Sequence, residues 1–254
     1  MNETDPPQKR RRGIYLLPNL FTTAALFAGF YGILAAINGH FEPAAIAIFI
    51  AMVLDGLDGR VARLTNTQSA FGAEYDSLSD MVAFGLAPAL VMYLWALQGL
   101  GKLGWFAAFV YTAGAALRLA RFNTQIGIAD KRFFQGLPSP SAAAIVVGGV
   151  WVGNYYVLAG AELAWAAALL TTLAGLLMVS NFRYHSFKQI DFRGKVPFIF
   201  LVLIMLVFAV VLWHPPLVLF LLALGYALSG PIVTIRELRR RRAERRPYGG
   251  GEAS

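Results

Sequence analysis

The chain has 254 residues, of which 57% are hydrophobic and only 14% are charged, and its formal net charge is +8. Soluble domains carry about a quarter charged residues, so this composition excludes an ordinary water-soluble fold and predicts a protein that lies in lipid. The absence of cysteine from the sequence excludes disulfide bonds and cysteine-ligated metals.

Taken in chain order, the apolar stretches predict eight transmembrane helices, each near the length of about 20 residues that crosses a bilayer. The first stretch follows the basic residues Lys9 to Arg12, but it is too long for a signal peptide and further spans follow it. Helices are expected because an open backbone in lipid would leave its hydrogen bonds unmet. The predicted spans are residues 16–37, 43–64, 73–97, 103–120, 139–158, 163–179, 196–213 and 217–235.

The distribution of Lys and Arg predicts the orientation of these spans. If the N-terminus lies in the cytoplasm, every Lys and Arg except Lys102 falls in a cytoplasmic segment or at the cytoplasmic end of a span. By the positive-inside rule, both termini are expected in the cytoplasm. The predicted fold class is therefore all-α, a polytopic membrane helix bundle of about eight helices. We expect a basic N-terminal segment over 1–15, the transmembrane bundle over 16–236 and a basic, disordered tail over 237–254.

Two of the predicted cytoplasmic segments, residues 122–138 and 181–195, mix aromatic and basic residues. This composition suits the headgroup layer of a membrane, so each segment is expected to hold a short interfacial helix. The sequence shows no internal repeat and no separate soluble domain.

Four aspartates lie near the cytoplasmic ends of the second and third predicted spans, where ionised groups are costly and by default mark function. Asp55 and Asp58 are three residues apart and share a helix face, as do Asp76 and Asp80, which are four apart. The connection between the two helices is short, so they are expected to be antiparallel neighbours whose carboxylates converge. Such carboxylates repel one another, and a divalent cation would compensate that repulsion. Oxygen-only ligands favour Mg²⁺, Mn²⁺ or Ca²⁺ over zinc.

Small residues and an arginine accompany this cluster. Gly59 lies one turn after the first aspartate, and Gly72 lies one turn before the third. Glycine costs about 1 kcal/mol relative to alanine in a helix, so these positions indicate the close approach of a ligand or of another helix. Ala62 extends the same small-residue face, and Arg63 beside it is suited to bind a phosphate.

Residues 55–80 read D-G-L-D-G-R-V-A-R, then eight residues, then G-A-E-Y-D-S-L-S-D. This pattern resembles, without a departure, the signature DxxDGxxAR…GxxxDxxxD of the CDP-alcohol phosphatidyltransferases. Residues 17–22 resemble the PNxxT that opens many of these enzymes, and Met81 stands where phosphatidylglycerophosphate synthases carry a lysine. The segments that resemble the phosphatidylserine synthase branch are residues 80–89, 118–123, 136–140 and 180–188. The last two predicted spans match only in being apolar.

The resemblance implies an enzyme that transfers the phosphatidyl group of CDP-diacylglycerol to the hydroxyl of L-serine, with release of CMP. It implies that Asp55, Asp58, Asp76 and Asp80 bind Mg²⁺ or Mn²⁺, with two ions expected, and that Asp80 is also the general base. Phosphoryl transfer depends on charge neutralisation and in-line positioning, which a two-metal site supplies. The resemblance further implies a homodimer. We expect the prokaryotic cytoplasmic (inner) membrane as the location, a site that faces the cytoplasm, and no nucleic-acid partner.

The remaining candidates divide between the two substrates. Arg118 and Arg121 either bind the acceptor carboxylate or a phosphate, or anchor the membrane edge. For Asn19 and Thr22, and for the polar candidates that follow Arg121, the alternative to binding is helix capping. The candidates for CDP-diacylglycerol are Asn19, Thr22, Gly59, Ala62, Arg63 and Gly72, and those for the acceptor or a phosphate are Arg118, Arg121, Asn123, Gln135 and Ser139.

Other functions stay open at this point. Enzymes of the same family that use glycerol 3-phosphate, inositol phosphate, choline or a second phospholipid as acceptor would keep the metal site. A cation transporter would use the aspartates as its ion site, but it would place them near the bilayer midplane. A purely structural membrane protein would leave the aspartate cluster unexplained.

Overall fold

The computed structural model describes residues 16–65, 67, 69–124, 133–185 and 198–244. Within these ranges the chain forms eight long helical segments and two three-residue strands, and each helix overlaps one predicted span. The helices are α1 (Leu16–Ile37), α2 (Phe41–Leu64), α3 (Ala70–Leu100), α4 (Lys102–Thr124), α5 (Ser139–Tyr155), α6 (Ala164–Val179), α7 (Phe198–Trp213) and α8 (Pro215–Glu244), and the strands are β1 (Phe133–Gln135) and β2 (Arg183–His185).

Length and hydropathy indicate a bundle that lies in a membrane. Within the described ranges, α1, α3, α4 and α8 are long and apolar enough to cross a bilayer, and α6 is a shorter apolar helix. The charged residues near the end of α2, among them Asp55, Asp58 and Arg63, lower the hydropathy of that helix. The predicted all-α membrane bundle is confirmed. The number of crossings and the cytoplasmic position of both termini stay predictions.

The two predicted end segments differ in how far the structure describes them. Residues 1–15 and 245–254 lie outside the described ranges. Helix α8 contains Pro231 and continues to Glu244, into the segment that the sequence predicts as a disordered tail. The first part of that basic segment therefore extends the last helix.

The helices pack so that α1, α2 and α3 come together around the aspartates. α1 packs along α2 and against α3, α4 packs along α6, and α5 packs against both α2 and α8. A Cβ at Gly29 would lie 2.7 Å from Ala83 Cα, and a Cβ at Gly114 would lie 2.5 Å from the carbonyl oxygen of Gly175. Such close approaches are typical of membrane bundles, where small residues let helix backbones make van der Waals contact. They hold α3 against α1 and α4 against α6.

The third helix changes its winding directly after Asp80. It is α-helical up to that residue and π-helical over Met81–Leu86. Tyr111 of α4 is fully buried, and its hydroxyl donates a hydrogen bond of 2.9 Å to the carbonyl oxygen of Phe84 within the π-helical stretch. Stretches of π-helix are rare and often occur at functional sites. This one separates the aspartate-bearing turns of α3 from the part of the helix that is buried in the bundle.

The two segments for which the sequence predicts interfacial helices, residues 122–138 and 181–195, each contain one of the strands. Residues 122–124 belong to the end of α4, and residues 125–132 and 186–195 lie outside the described ranges. β1 and β2 are antiparallel, with Phe134 opposite Tyr184. The prediction of helices is wrong for these residues, because hydrogen bonds between the two segments satisfy their backbones instead. Gly136 follows β1 with a φ of 78°, and a Cβ there would overlap the carbonyl oxygen of Met178. Only glycine fits this turn, which joins the approach to α5 to the end of α6.

Tyr184 of β2 anchors the strand pair to the last helix. Its side chain is fully buried, and its hydroxyl donates a hydrogen bond of 3.0 Å to the carbonyl oxygen of Ala227. The ring packs on Gly230, where any Cβ would overlap it. Burial raises the pKa of Tyr184 to about 12, so this phenol stays protonated at neutral pH. The strand pair is therefore fixed to α8 from one side.

Candidate active site

A large cavity opens beside the two helices that carry the aspartates. Its volume is about 1280 Å³, and α1, α2, α3, α4, α5 and α8 all contribute to its walls. Of the predicted site residues, Arg121, Gln135 and Ser139 do not line the cavity. The predicted residues that do line it are Asn19, Thr22, Asp55, Asp58, Gly59, Ala62, Arg63, Gly72, Asp76, Asp80, Arg118 and Asn123.

Three of the four aspartates converge at one point of this cavity. One carboxylate oxygen from each of Asp55, Asp76 and Asp80 lies within 4.8 Å of the other two, and the three side chains are partly buried. α2 supplies the first and α3 the other two from adjacent turns, as the spacing predicts. Three carboxylate oxygens at this separation fit a hard divalent cation such as Mg²⁺ or Mn²⁺, whose charge also offsets their repulsion.

Asp58 lies in the same cavity but outside this group of three. It is buried, and its Oδ2 accepts a hydrogen bond of 2.7 Å from the hydroxyl of Thr22. The same hydroxyl is 3.2 Å from the carbonyl oxygen of Pro18, the usual acceptor one turn back for a threonine in a helix. The structure thus places Asp58 at a contact between α1 and α2, and its role as a metal ligand stays a prediction.

Hydrogen bonds to α1 set the rotation of α3. Ser79 is buried, and its hydroxyl donates a hydrogen bond of 3.1 Å to the carbonyl oxygen of Thr22. One turn earlier, the hydroxyls of Tyr75 and Thr23 share a hydrogen bond of 2.8 Å. Ser79 and Tyr75 each directly precede an aspartate of the cluster, so these bonds fix the direction of the aspartate face. Neither residue belongs to a sequence pattern that would have singled it out.

The two predicted glycines of the motif have different surroundings: Gly59 borders open space, whereas Gly72 lies against Ser69 and Asn19. Among the described residues, no atom lies within 4 Å of where a Cβ at Gly59 would be, so Gly59 is not a helix-packing position there. A Cβ at Gly72 would lie 3.2 Å from Ser69 Oγ and 3.6 Å from Asn19 Oδ1. Ser69 caps α3 by accepting a hydrogen bond of 3.0 Å from the Gly72 amide. Arg63 is exposed at the edge of the cavity, near the end of α2.

Arg118 of α4 lines the same cavity and carries a positively charged side chain. Its guanidinium donates a hydrogen bond to Ser139 Oγ at the start of α5. Its charge interacts favourably with the carboxylates of Asp80 and Asp55. Ser139 is fully buried and does not line the cavity, so its observed contact is with Arg118, and a role for it in binding the acceptor stays a prediction.

The other predicted acceptor residues have different surroundings. A guanidinium nitrogen of Arg121 lies 3.4 Å from the side-chain oxygen of Asn181, just after α6. Asn123 lines the cavity and exchanges hydrogen bonds of 3.0 and 3.2 Å with Ser77 of α3. Gln135 is exposed in β1. Of this group, Asn123 alone is both in the cavity and connected to an aspartate-bearing helix.

The last helix adds a wall that the sequence did not predict. Leu219, Ala223 and Tyr226 of α8 line the cavity and, at spacings of four and three residues, share one face of the helix. Apolar composition identifies α8 as a span but does not indicate which face meets a site. A tyrosine in such a helix is most simply interpreted as an anchor at the membrane interface.

A known protein family matches the part of the chain that forms most of this site. A family model described as CDP-alcohol phosphatidyltransferase matches residues 15–173, more than half of the chain. The matched range contains all four aspartates, Arg118 and Ser139, and it ends before β2, α7 and α8. The signature and the convergence of its carboxylates thus belong to the same matched region.

Individual relatives extend this match. The chain is 40% identical over 195 residues to a CDP-diacylglycerol–serine O-phosphatidyltransferase of Helicobacter pylori, which covers 77% of this chain and 82% of that protein. It is 36% identical over 205 residues to a protein of the same name from Methanocaldococcus jannaschii, with 81% and 89% covered. An archaetidylserine synthase of Methanothermobacter thermautotrophicus is 32% identical over 178 residues, with 69% and 72% covered. With its signature aspartates gathered in one membrane cavity, this chain belongs to the CDP-alcohol phosphatidyltransferase family.

Proposed function

We propose that this membrane enzyme transfers the phosphatidyl group of CDP-diacylglycerol to the hydroxyl of L-serine, which forms phosphatidylserine and releases CMP. The observation that carries the proposal is the meeting of Asp55, Asp76 and Asp80 within 4.8 Å, in a cavity that also contains Arg118. Relatives named as serine transferases match most of the chain and support serine as the acceptor. The serine oxygen bonds to the lipid-bearing phosphorus, the bond from that phosphorus to CMP breaks, and the hydroxyl proton leaves the serine.

The carboxylates have two proposed roles in the transfer, metal binding and proton acceptance. Asp55, Asp58, Asp76 and Asp80 would hold Mg²⁺ or Mn²⁺, and we propose a two-ion arrangement. When bound, the ions neutralise the charge on the phosphates and on the leaving oxygen. Asp80 accepts the proton of the serine hydroxyl as general base. Its place on the last α-helical turn before the π-helical stretch of α3, in the same cavity as Arg118, which is assigned to the acceptor, supports this role.

The nucleotide end of the substrate occupies the side of the cavity formed by α1, α2 and the start of α3. The open space beside Gly59 supports a close approach of the cytidine to the helix backbone. Arg63, exposed at the cavity edge, supports a contact with a phosphate, since a guanidinium matches phosphate oxygens in pairs. The residues assigned to CDP-diacylglycerol are Asn19, Thr22, Gly59, Ala62, Arg63 and Gly72.

The acceptor binds on the side of α4. Arg118 binds the serine carboxylate through its paired N–H donors, and Ser139 orients it by the hydrogen bond at the start of α5. Asn123, which lines the cavity, belongs to the same acceptor group. Arg121 and Gln135 stay predictions without a cavity contact that supports them.

The setting of the reaction follows from charge and from the relatives. The distribution of Lys and Arg supports a site that faces the cytoplasm. Bacterial and archaeal relatives support the cytoplasmic membrane of a prokaryote as the location. We also propose a homodimer, for which the family resemblance is the support.

The experiment that tests this function is CMP release by the detergent-purified full chain, given CDP-diacylglycerol and Mn²⁺ or Mg²⁺. L-serine is compared with glycerol 3-phosphate, inositol phosphate and choline. We expect release that requires L-serine and that stops when EDTA removes the metal. Release with a different alcohol would keep the metal site but overturn the acceptor. No release with any acceptor would overturn phosphatidyl transfer and favour the alternative hypothesis of a cation transporter.

A further inference from the structure

The wall that α8 contributes to the cavity is apolar except at Tyr226. Leu219 and Ala223 share its helix face, and their side chains offer van der Waals contact but no hydrogen bond. Tyr226 lies in the same cavity as Arg118 and close enough for the two side chains to interact electrostatically. Among the described side chains of α8, Tyr226 is therefore the polar one that lines the cavity.

Tyr184 holds Tyr226 in place. The two ring centroids are 5.5 Å apart, and the ring planes are tilted by 45°. Tyr184 is itself fully buried, and its hydroxyl bonds to the carbonyl oxygen of Ala227, the residue that follows Tyr226. A side chain packed in this way has lost much of its rotamer freedom before a ligand arrives, which lowers the entropic cost of binding. Tyr226 thus meets the requirement that a selective contact be preorganised.

The chemistry of the pair suits an anion. A guanidinium offers charge and several N–H donors, and a phenol adds an O–H donor from a different direction. A second donor to a charged group strengthens the preference for ligands that carry that charge, because a ligand without it leaves the donors unmatched. Arg118 and Tyr226 together would therefore favour acceptors with a carboxylate over acceptors without one.

Tyr226 also lies outside the part of the chain that the family model matches. The family model matches residues 15–173, which include the aspartates and Arg118, whereas Tyr226 lies beyond that range. The aspartates within the shared range serve the transfer step, which enzymes with different acceptors have in common. A residue outside that range is suited to distinguish one acceptor from another.

We propose that Tyr226 is a specificity-determining residue whose hydroxyl, together with Arg118, binds the carboxylate of the amino-acid acceptor. The proposal rests on the proposed function, since it assigns Arg118 to the serine carboxylate. A phosphate of CDP-diacylglycerol is an anion of similar chemistry. The two anions can be distinguished by kinetics. If the tyrosine hydroxyl binds the serine carboxylate, the KM for L-serine depends on it, and if it binds a phosphate, the KM for CDP-diacylglycerol depends on it.

The test uses Tyr226→Phe in the purified full chain, because phenylalanine keeps the ring that packs on Tyr184. We expect the KM for L-serine to rise about tenfold, which corresponds to about 1.4 kcal/mol, while the KM for CDP-diacylglycerol stays unchanged. The preference for L-serine over serinol, which has a hydroxymethyl group in place of the carboxylate, should fall by a similar factor. Tyr155→Phe is the matched control, because Tyr155 is exposed at the end of α5 and outside the cavity.

Each other outcome has a definite meaning. A higher KM for CDP-diacylglycerol alone would assign the tyrosine to a phosphate and overturn the proposal, as would unchanged KM values for both substrates. If the wild-type enzyme uses L-serine but the KM values of Tyr226→Phe are unchanged, the proposal for Tyr226 is overturned and the proposed function is not affected. A wild-type enzyme that does not use L-serine would overturn the proposed function and, with it, the carboxylate assignment of Tyr226.

Discussion

Thr22 of α1 donates a hydrogen bond of 2.7 Å to the buried carboxylate of Asp58 and so connects the first helix to the motif on the second. Its carbonyl oxygen accepts a hydrogen bond of 3.1 Å from Ser79 on α3. One residue therefore joins three helices beside the cavity that the four aspartates line. The arrangement of the carboxylates thus depends on α1, although that helix carries no acidic residue.

The variant Thr22→Val should weaken both the fold and the metal site. It removes the donor to a buried carboxylate, a loss that costs about 1–3 kcal/mol, so we expect a lower unfolding temperature in detergent. The concentration of Mg²⁺ or Mn²⁺ needed for half-maximal CMP release should rise, because the carboxylates lose an alignment contact. Thr112→Val is the control, since the Thr112 hydroxyl bonds to the carbonyl of Ala108 in its own helix. Equal effects of the two substitutions on metal dependence would contradict this role of Thr22.

The variant Asp80→Asn should remove the general base while it keeps the shape of the side chain. A positioned base contributes about 10²–10⁴-fold to the rate, so CMP release should fall by at least two orders of magnitude. Glu74→Gln is the matched control, because Glu74 is an exposed carboxylate on the same helix and does not line the cavity. Steady-state CMP release is the measurement, and an Asp80→Asn enzyme with more than a tenth of the wild-type rate would sink the assignment.

The variant Gly59→Ala should separate stability from substrate binding. A Cβ at this position meets no atom of the described residues, and alanine favours a helix over glycine by about 1 kcal/mol, so the unfolding temperature should rise or stay the same. The added methyl group would occupy space assigned to the nucleotide, so the KM for CDP-diacylglycerol should increase several-fold.

Gly225→Ala is the control for that experiment. Gly225 is exposed on α8, does not line the cavity, and likewise has open space around it in the described part of the chain. It should show the same gain in stability with an unchanged KM. A Gly59→Ala enzyme with a wild-type KM for CDP-diacylglycerol would show that the nucleotide does not approach this helix.

The variant Gly114→Ala should destabilise the bundle. Its Cβ would lie 2.5 Å from the carbonyl oxygen of Gly175, so α4 and α6 would have to move apart. Overpacking of this kind costs about 1–3 kcal/mol, and we expect a lower unfolding temperature in a thermal melt of the detergent-solubilised protein. Gly225→Ala again serves as the comparison, and an unfolding temperature as high as that of Gly225→Ala would show that the two helices can separate freely.

The bundle and the core of the candidate site could be predicted because both depend on short-range patterns. A backbone that crosses lipid must satisfy its hydrogen bonds within its own segment, so apolar length alone predicts the helices. The spacing of Asp55 and Asp58 places both on one face of their helix, and the spacing of Asp76 and Asp80 does the same on the next helix. A short connection brings the two helices together. The structure agrees with these inferences, as the three carboxylates meet within 4.8 Å.

The pairing of β1 with β2 could not be predicted in this way. Phe134 and Tyr184 are opposite each other in the ladder, yet fifty residues and two helices separate them in the chain. The mixed aromatic and basic composition of these segments is compatible with an interfacial helix or with a strand. A strand forms only if a second segment with unpaired backbone groups lies alongside the first. The packing of α5, α6 and α8 decides whether the two segments meet.

By itself, the sequence determined the class of the protein, its membrane helices, the aspartate site and its family, since these depend on residues within a few turns of one another. Only the tertiary structure decided that Thr22 supports Asp58, that Ser139 holds Arg118 and that Tyr226 faces the cavity. The physical reason is that an apolar helix such as α8 presents chemically similar faces all round. Which of its side chains meets the site is settled by the packing of helices that are distant in the chain.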